Sequence, residues 1–102
     1  MKSRIMYIEN KAGGLSGAGR IGRVTFSKTG ATLYYRGKSF QSLKGYGFKA
    51  NFYELETGEY YWISGPKKNG QDPLYPTNVP VEVDEDVKHE YWTLIRGRAA
   101  PP

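Results

Sequence analysis

Short runs of apolar and polar residues in alternation, separated by glycine-marked turns, dominate this chain. Residues 4–9 read as a first strand, with Ile5, Tyr7 and Ile8 as its apolar content. Residues 20–26 and 32–35 form a strand pair around Ser27-Lys28-Thr29-Gly30, where glycine supplies the positive φ of a tight hairpin. A second hairpin follows the same plan: residues 48–55, a tip at Glu56-Thr57-Gly58, then residues 59–64. The two overlay at an offset of 28 residues, Thr29-Gly30 on Thr57-Gly58 and Gly37 on Gly65. Other positions differ, so the recurrence is one of architecture, as in any β-meander.

Between the strands lie two irregular stretches. Residues 11–19 hold Gly13, Gly14, Gly17 and Gly19 and read as a loop. Residues 65–80 form a long connection, with Pro73, Pro76 and Pro80 excluding regular structure. The period then changes. Asp84 fits an N-cap, Glu85 and Asp86 suit the positive end of a helix, and Val87, Tyr91, Leu94 and Ile95 make one apolar stripe. The spacing predicts a helix over 84–96, with Gly97 at C′ and residues 98–102 as a tail. Tyr91 and Ile95 should be buried and His89 exposed. The expected fold is mainly β (α+β): one domain over 1–102, with about five strands in a small bent antiparallel sheet or a partly open SH3- or OB-like barrel, plus one C-terminal helix.

Composition narrows the class. A chain of 102 residues has room for one core, and its 15% aromatic content (nine Tyr, four Phe, two Trp) can fill it. With no cysteine, disulfides, thiolate nucleophiles and sulfur-ligated metals are excluded, and a reducing compartment is favoured. Lys2, Arg4 and Glu9 break up any apolar signal core, and no run reaches the roughly 18 residues of a membrane span, so a cytoplasmic protein without a membrane partner is expected.

Net charge is +5, but it is unevenly placed: the chain carries +9 up to Lys49 and −4 from Ala50 onward. Such asymmetry suits a polyanionic partner. It is equally what a compact fold produces when its two halves pair with each other.

The motifs of catalysis are missing. His89 is the sole histidine and lies about 200° from Val87 on the predicted helix, opposite the apolar stripe. No serine or cysteine stands in triad spacing with it. Glu82, Asp84, Glu85 and Asp86 lack the glycine-turned loop of a hard-cation site and read as helix-capping residues. Arg36-Gly37-Lys38-Ser39 copies the end of a phosphate-binding loop, yet Thr32 stands where its first glycine belongs. No enzyme activity and no cofactor are therefore expected.

The sharpest motif is Lys44-Gly45-Tyr46-Gly47-Phe48. It resembles the first five positions of the aromatic RNA-binding pattern of RRM domains, in which bare glycine backbone presents rings to unpaired bases. Lys49 and Asn51 then depart from that pattern, and the interleaved helices of an RRM are absent. Cold-shock domains, all-β with a similar stretch, resemble the chain better in class. A tight turn with core-facing rings would produce the same five residues. If the motif is functional, phosphate contacts fall to Arg20, Arg23, Lys28, Arg36, Lys38, Lys44 and Lys49, and base stacking to Tyr46 and Phe48. The expected partner is single-stranded nucleic acid. The alternative is a protein partner, as for an immunity or adaptor module, since Tyr, Trp and Arg also favour protein interfaces.

Three segments, residues 19–28, 34–40 and 61–68, are together similar to a set of short bacterial proteins, and the likeness runs along nearly the entire chain. Some of those proteins bear the name 1-deoxy-D-xylulose-5-phosphate synthase, a large thiamine-diphosphate enzyme whose cofactor site 102 residues cannot hold. The resemblance implies no transferable function.

Overall fold

The computed structural model describes residues 2–13, 17–44, 50–73, 79–99 and 101. Its strands are β1 (Ser3–Asn10), β2 (Gly19–Phe26), β3 (Thr32–Tyr35), β4 (Lys38–Ser42), β5 (Phe52–Glu54), β6 (Tyr60–Ser64) and β7 (Val81–Val83). The first six close into a small antiparallel barrel, running β1-β6-β5-β4-β3-β2 and back to β1. Closure uses both edges of β1: Ser3 to Glu9 pair with Thr25 to Gly19, and Tyr7 to Asn10 pair with Ser64 to Tyr61. A closed ring leaves few unpaired edges.

Side-chain alternation places two cores on either side of this wall. Met6, Ile8, Val24, Leu33, Tyr35, Phe40, Tyr61 and Ile63 face inward and fill the barrel. Tyr7 and Ile21 face outward and meet Val87 and Tyr91 of the C-terminal helix, with Ile5, Trp62, Val81, Val83, Trp92 and Ile95 around them. β1 and β2 are thus apolar on both faces where the helix covers them.

Two strands were not legible as such. β4 (Lys-Ser-Phe-Gln-Ser) has a single large apolar residue, yet Phe40 is fully buried at the barrel centre, edge-on to Tyr61 at 4.7 Å. β7 is three residues directly after Pro80, and it pairs parallel to Gly19, Arg20 and Ile21 of β2. The second hairpin is also shorter than 48–55 implies: β5 begins only at Phe52, and residues 48–49 lie outside the described residues. The hairpin tips agree, with Gly30 and Gly58 at φ 78° and 75°.

The helical segment runs as a 3-10 turn over Glu85–Val87, an α turn over Lys88–Glu90 and a π turn over Tyr91–Ile95. This mixed pitch corrects the expected stripe. The Arg96 N–H donates to the Tyr91 carbonyl at 3.0 Å, five residues back, and the widened turn swings Leu94 out until it is 78% exposed. Val87 and Tyr91 are buried, Ile95 is half-buried, and half-buried Trp92 joins the stripe edge-on to Tyr91 at 5.1 Å. His89 is exposed and Gly97 takes φ 69°, as the sequence predicts.

Candidate functional site

β2 pairs with β3 only at Thr25–Tyr34 and Phe26–Leu33. Toward its N-terminal end β2 turns its edge to β7 instead, so the barrel wall opens between Arg20 and Tyr35. One carboxylate bridges the opening. Asp84 is buried, and its Oδ1 accepts from Arg20 Nε at 2.9 Å, Arg20 Nη2 at 2.8 Å and Arg36 Nη2 at 2.9 Å. Its Oδ2 accepts the Tyr35 hydroxyl proton. Arg20 also donates to exposed Glu82 at 2.7 Å.

Gly22 makes room for this. A Cβ there would stand 2.5 Å from both Asp84 Oδ2 and Tyr35 Cε1. Asp84 does hold the extended N-cap backbone, at φ −62° and ψ 141°, but its side chain makes no cap hydrogen bond. The capping role read from the sequence is therefore corrected for Asp84 and for Glu82. Asp84 serves β2–β3 closure, and Glu82 pairs with Arg20 of the adjoining β2.

Burial, then the bond to Asp84, pushes the Tyr35 phenol up to about 12. Burial and Glu9 raise Tyr7 in the same direction. A phenol with a raised folded pKa contributes stability that is complete below its unfolded value of about 10 and is lost as pH climbs toward the folded one. Melting temperature should therefore hold through mild alkali and fall between about pH 10 and 12. Tyr35→Phe should be less stable at neutral pH yet decline less steeply over that interval. Parallel declines for the two proteins would refute the assignment to Tyr35.

Above the Asp84 bridge lies a cavity of about 230 Å³ at the barrel mouth. Tyr35, Phe40, Tyr61 and Ile8 form its floor, and Arg20, Arg36, Lys38 and Asn10 its rim. The three rim cations are not equivalent. Arg20 commits three N–H groups to carboxylates, which makes it a structural member. Arg36 commits one of its five donors and is 55% exposed. Lys38 is 46% exposed and stands 3.6 Å from Glu54 Oε1, beyond hydrogen-bond reach. Arg36 and Lys38 can turn to a ligand.

Their placement is built by a strained turn. Arg36 and Gly37 have φ 50° and 76° in the two-residue link between β3 and β4, the pattern of a type I′ turn. Asn and Gly favour that conformation, and an arginine there is uncommon.

The remaining expected contacts are scattered. Arg23 points outward from β2 to Glu90 of the helix at 2.6 Å. Lys28 lies at the opposite end of the barrel, in an open depression with Lys2 and Phe26. Lys44 is exposed with φ 54°. Tyr46, Phe48 and Lys49, the stacking residues and last cation of the motif, lie outside the described residues.

Charge asymmetry along the chain is taken up in part by internal pairing. Arg20, Arg23, Arg36 and Lys38 from the first half meet Glu82, Asp84, Glu90 and Glu54 from the second. Of these, only Arg23–Glu90 and Arg20–Glu82 have an exposed carboxylate, and such pairs contribute about 0–1 kcal/mol. Arg20 is held on buried Asp84 by two hydrogen bonds, whereas Arg36 makes one there and Lys38 lies beyond hydrogen-bond reach of buried Glu54.

Asn10, Tyr61 and Asp84 were missed as site residues. Tyr61 and Asn10 join at 3.2 Å through their side chains, across a β1–β6 register that the sequence does not reveal. Among the described residues no group of His, Cys, Asp and Glu is arranged to hold a metal ion, and no helix is long and apolar enough to cross a membrane. No family model, curated protein or solved structure matches the chain.

Proposed function

We propose that this protein is a non-catalytic binding module for single-stranded nucleic acid, with the barrel mouth as a phosphate- and base-contacting site. The reading is carried by the convergence of Arg36 and Lys38 on the rim of an aromatic-floored cavity. At about 230 Å³ that cavity falls below the roughly 300–1,000 Å³ of sites that enclose a whole small ligand. It suits one flat or anionic group of a longer chain. Duplex is disfavoured, because among the described residues the exposed surface offers rings and loops but no long helix to enter a major groove.

Titration of a labelled single strand of about twelve nucleotides, RNA or DNA, tests the reading. Two phosphate contacts predict a log–log salt slope of roughly −1.4, whereas all seven cations read from the sequence would give roughly −4.9. Absence of binding at low salt would end the proposal. A stoichiometric protein that co-purifies and stays bound at high salt would favour the protein-partner alternative.

Arg36→Asn separates function from folding. Asparagine suits the positive φ better than arginine does, and the arginine removed is 55% exposed. Buried Asp84 keeps Arg20 and Tyr35 as partners, so stability should change by about 1 kcal/mol or less. Oligonucleotide affinity should nevertheless fall, and the salt slope should lose roughly one contact's share, about 0.7. Unchanged affinity at matched stability would remove Arg36 from the site.

A further inference from the structure

Register and alternation define a second feature of the barrel that rests on the nucleic-acid reading and extends it. The outward positions of β3 to β6 form two rows across the strands. One contains Tyr34 opposite Ser39; the other runs Thr32, Gln41, Tyr53 and Tyr60. Tyr53 and Tyr60 are direct cross-strand partners, which puts their Cβ atoms about 5 Å apart.

Tyr34 and Tyr60 are 38% and 51% exposed, and Tyr53 is half-buried. The C-terminal helix covers the β1–β2 side of the barrel, and the apolar cluster it forms includes none of Tyr34, Tyr53 and Tyr60. Tyr34 and Tyr60 stand three strand steps apart around the curved barrel wall.

We propose that this tyrosine face is a stacking platform for unpaired bases, continuing the path of a strand whose phosphates meet the barrel mouth. Exposed tyrosines on a β surface could also meet a protein, but the surrounding chemistry argues for a polyanion. The outward positions beside the rings are Thr32, Ser39, Gln41 and Trp62, with exposed Leu55 next to Ser39, and none is acidic. Cations stand at both ends of the face. Arg36 occupies the β3–β4 turn at one end, and Lys28 and Lys44 flank the other, where the Ser42 N–H binds the Ala31 carbonyl at 3.2 Å. Glu56 and Glu59 lie in the β5–β6 hairpin, Glu59 directly before Tyr60. Rings with flat faces, hydroxyl-bearing neighbours and flanking cations are what sequence-tolerant single-strand binding requires.

The test uses the full chain and a labelled oligouridylate of about twelve nucleotides. Tyr34→Thr and Tyr60→Thr are the variants, because threonine favours strands and keeps the barrel folded. Melting temperature should be nearly unchanged, each variant should weaken binding roughly 5- to 150-fold, and the salt slope should stay that of the parent. Tyr34→Phe and Tyr60→Phe should restore binding, since the ring face is what stacks. Wild-type affinity in both threonine variants, with Arg36→Asn still weakened, would overturn the platform and leave the mouth standing. Weakened threonine variants with an unaffected Arg36→Asn would support the platform and remove the mouth. A parent protein that binds no oligouridylate at low salt, or whose tyrosine face is instead held by a protein partner, would overturn the platform as well.

Discussion

Glu9→Ala should cost about 3–5 kcal/mol, a large share of the roughly 5–15 kcal/mol that stabilises a domain of this size. Glu9 is buried on the outer face of β1 and accepts three hydrogen bonds: from the Tyr7 hydroxyl at 2.6 Å, the Lys11 ammonium at 2.6 Å and the Gly17 N–H at 2.8 Å. Its partner Lys11 is equally buried. Removing the carboxylate takes the Glu9 charge away from a buried ammonium, which is far more costly than losing a surface pair.

The same residue fixes the register. Glu9 lies opposite Gly19, and Tyr7 passes so close that a Cβ on Gly19 would stand 2.4 Å from its hydroxyl oxygen. A slip of one residue would turn Glu9 and Tyr7 into the barrel. Urea melts at neutral pH measure the loss. The double variant Glu9→Leu with Lys11→Met should recover part of it, because apolar replacement removes both buried charges. Recovery should stay incomplete, since the Tyr7 hydroxyl and Gly17 N–H lose their acceptor, at about 1–3 kcal/mol for each group left unpaired. A loss below about 1 kcal/mol for Glu9→Ala would contradict this account.

Period-two alternation in residues 4–9 and 20–26 was enough to reveal the long strands, and the Asp84-to-Gly97 pattern enough to reveal the helix. Local signals of that kind survive folding because the side chains that carry them end in the core. β4 was hidden because its burial rests on Phe40 alone, with polar neighbours facing outward. β7 was hidden because its pairing partner lies some sixty residues upstream. Leu94 was misplaced because angular arithmetic assumes an α pitch, and the Tyr91–Ile95 turn does not keep it.

The candidate site was legible by residue type and not by position. Arg36 and Lys38 stood out as cations after a strand, but only the Tyr35–Lys38 pairing shows that both overhang the ring of Phe40. Arg20 looked like a third contact and proves to be a wall member, since its partner Asp84 is distant in sequence. Tyr34 and Tyr60 drew no attention because each alternates with a core tyrosine, Tyr35 or Tyr61. Only the register tells inward from outward in those Tyr-Tyr pairs.

Substitutions at Asp84 should move stability and ligand affinity in opposite directions. Asp84→Ala removes the acceptor of Arg20, Arg36 and Tyr35 where backbone pairing between β2 and β3 has already ended. Arg20 and Arg36 can turn to water, which discounts the loss, but the Tyr35 hydroxyl is buried and the wall has no other bridge at that point among the described residues. A cost of about 2–4 kcal/mol follows, or a drop in melting temperature of about 10–25 °C for a chain of this length. Asp84→Asn should cost less, because the amide oxygen still accepts from Tyr35 or Arg20. It also withdraws a full negative charge from beside the Arg36 guanidinium, the group assigned to a ligand phosphate. Oligonucleotide affinity should therefore rise in Asp84→Asn even as the fold weakens, most clearly at low salt where the field is least screened. A double-mutant cycle with Tyr35→Phe would show strong coupling in stability and none in affinity. If Asp84→Asn weakened binding in step with stability, the carboxylate would be supporting the ligand site rather than competing with it, and the assignment of the barrel mouth to an anionic partner would fall.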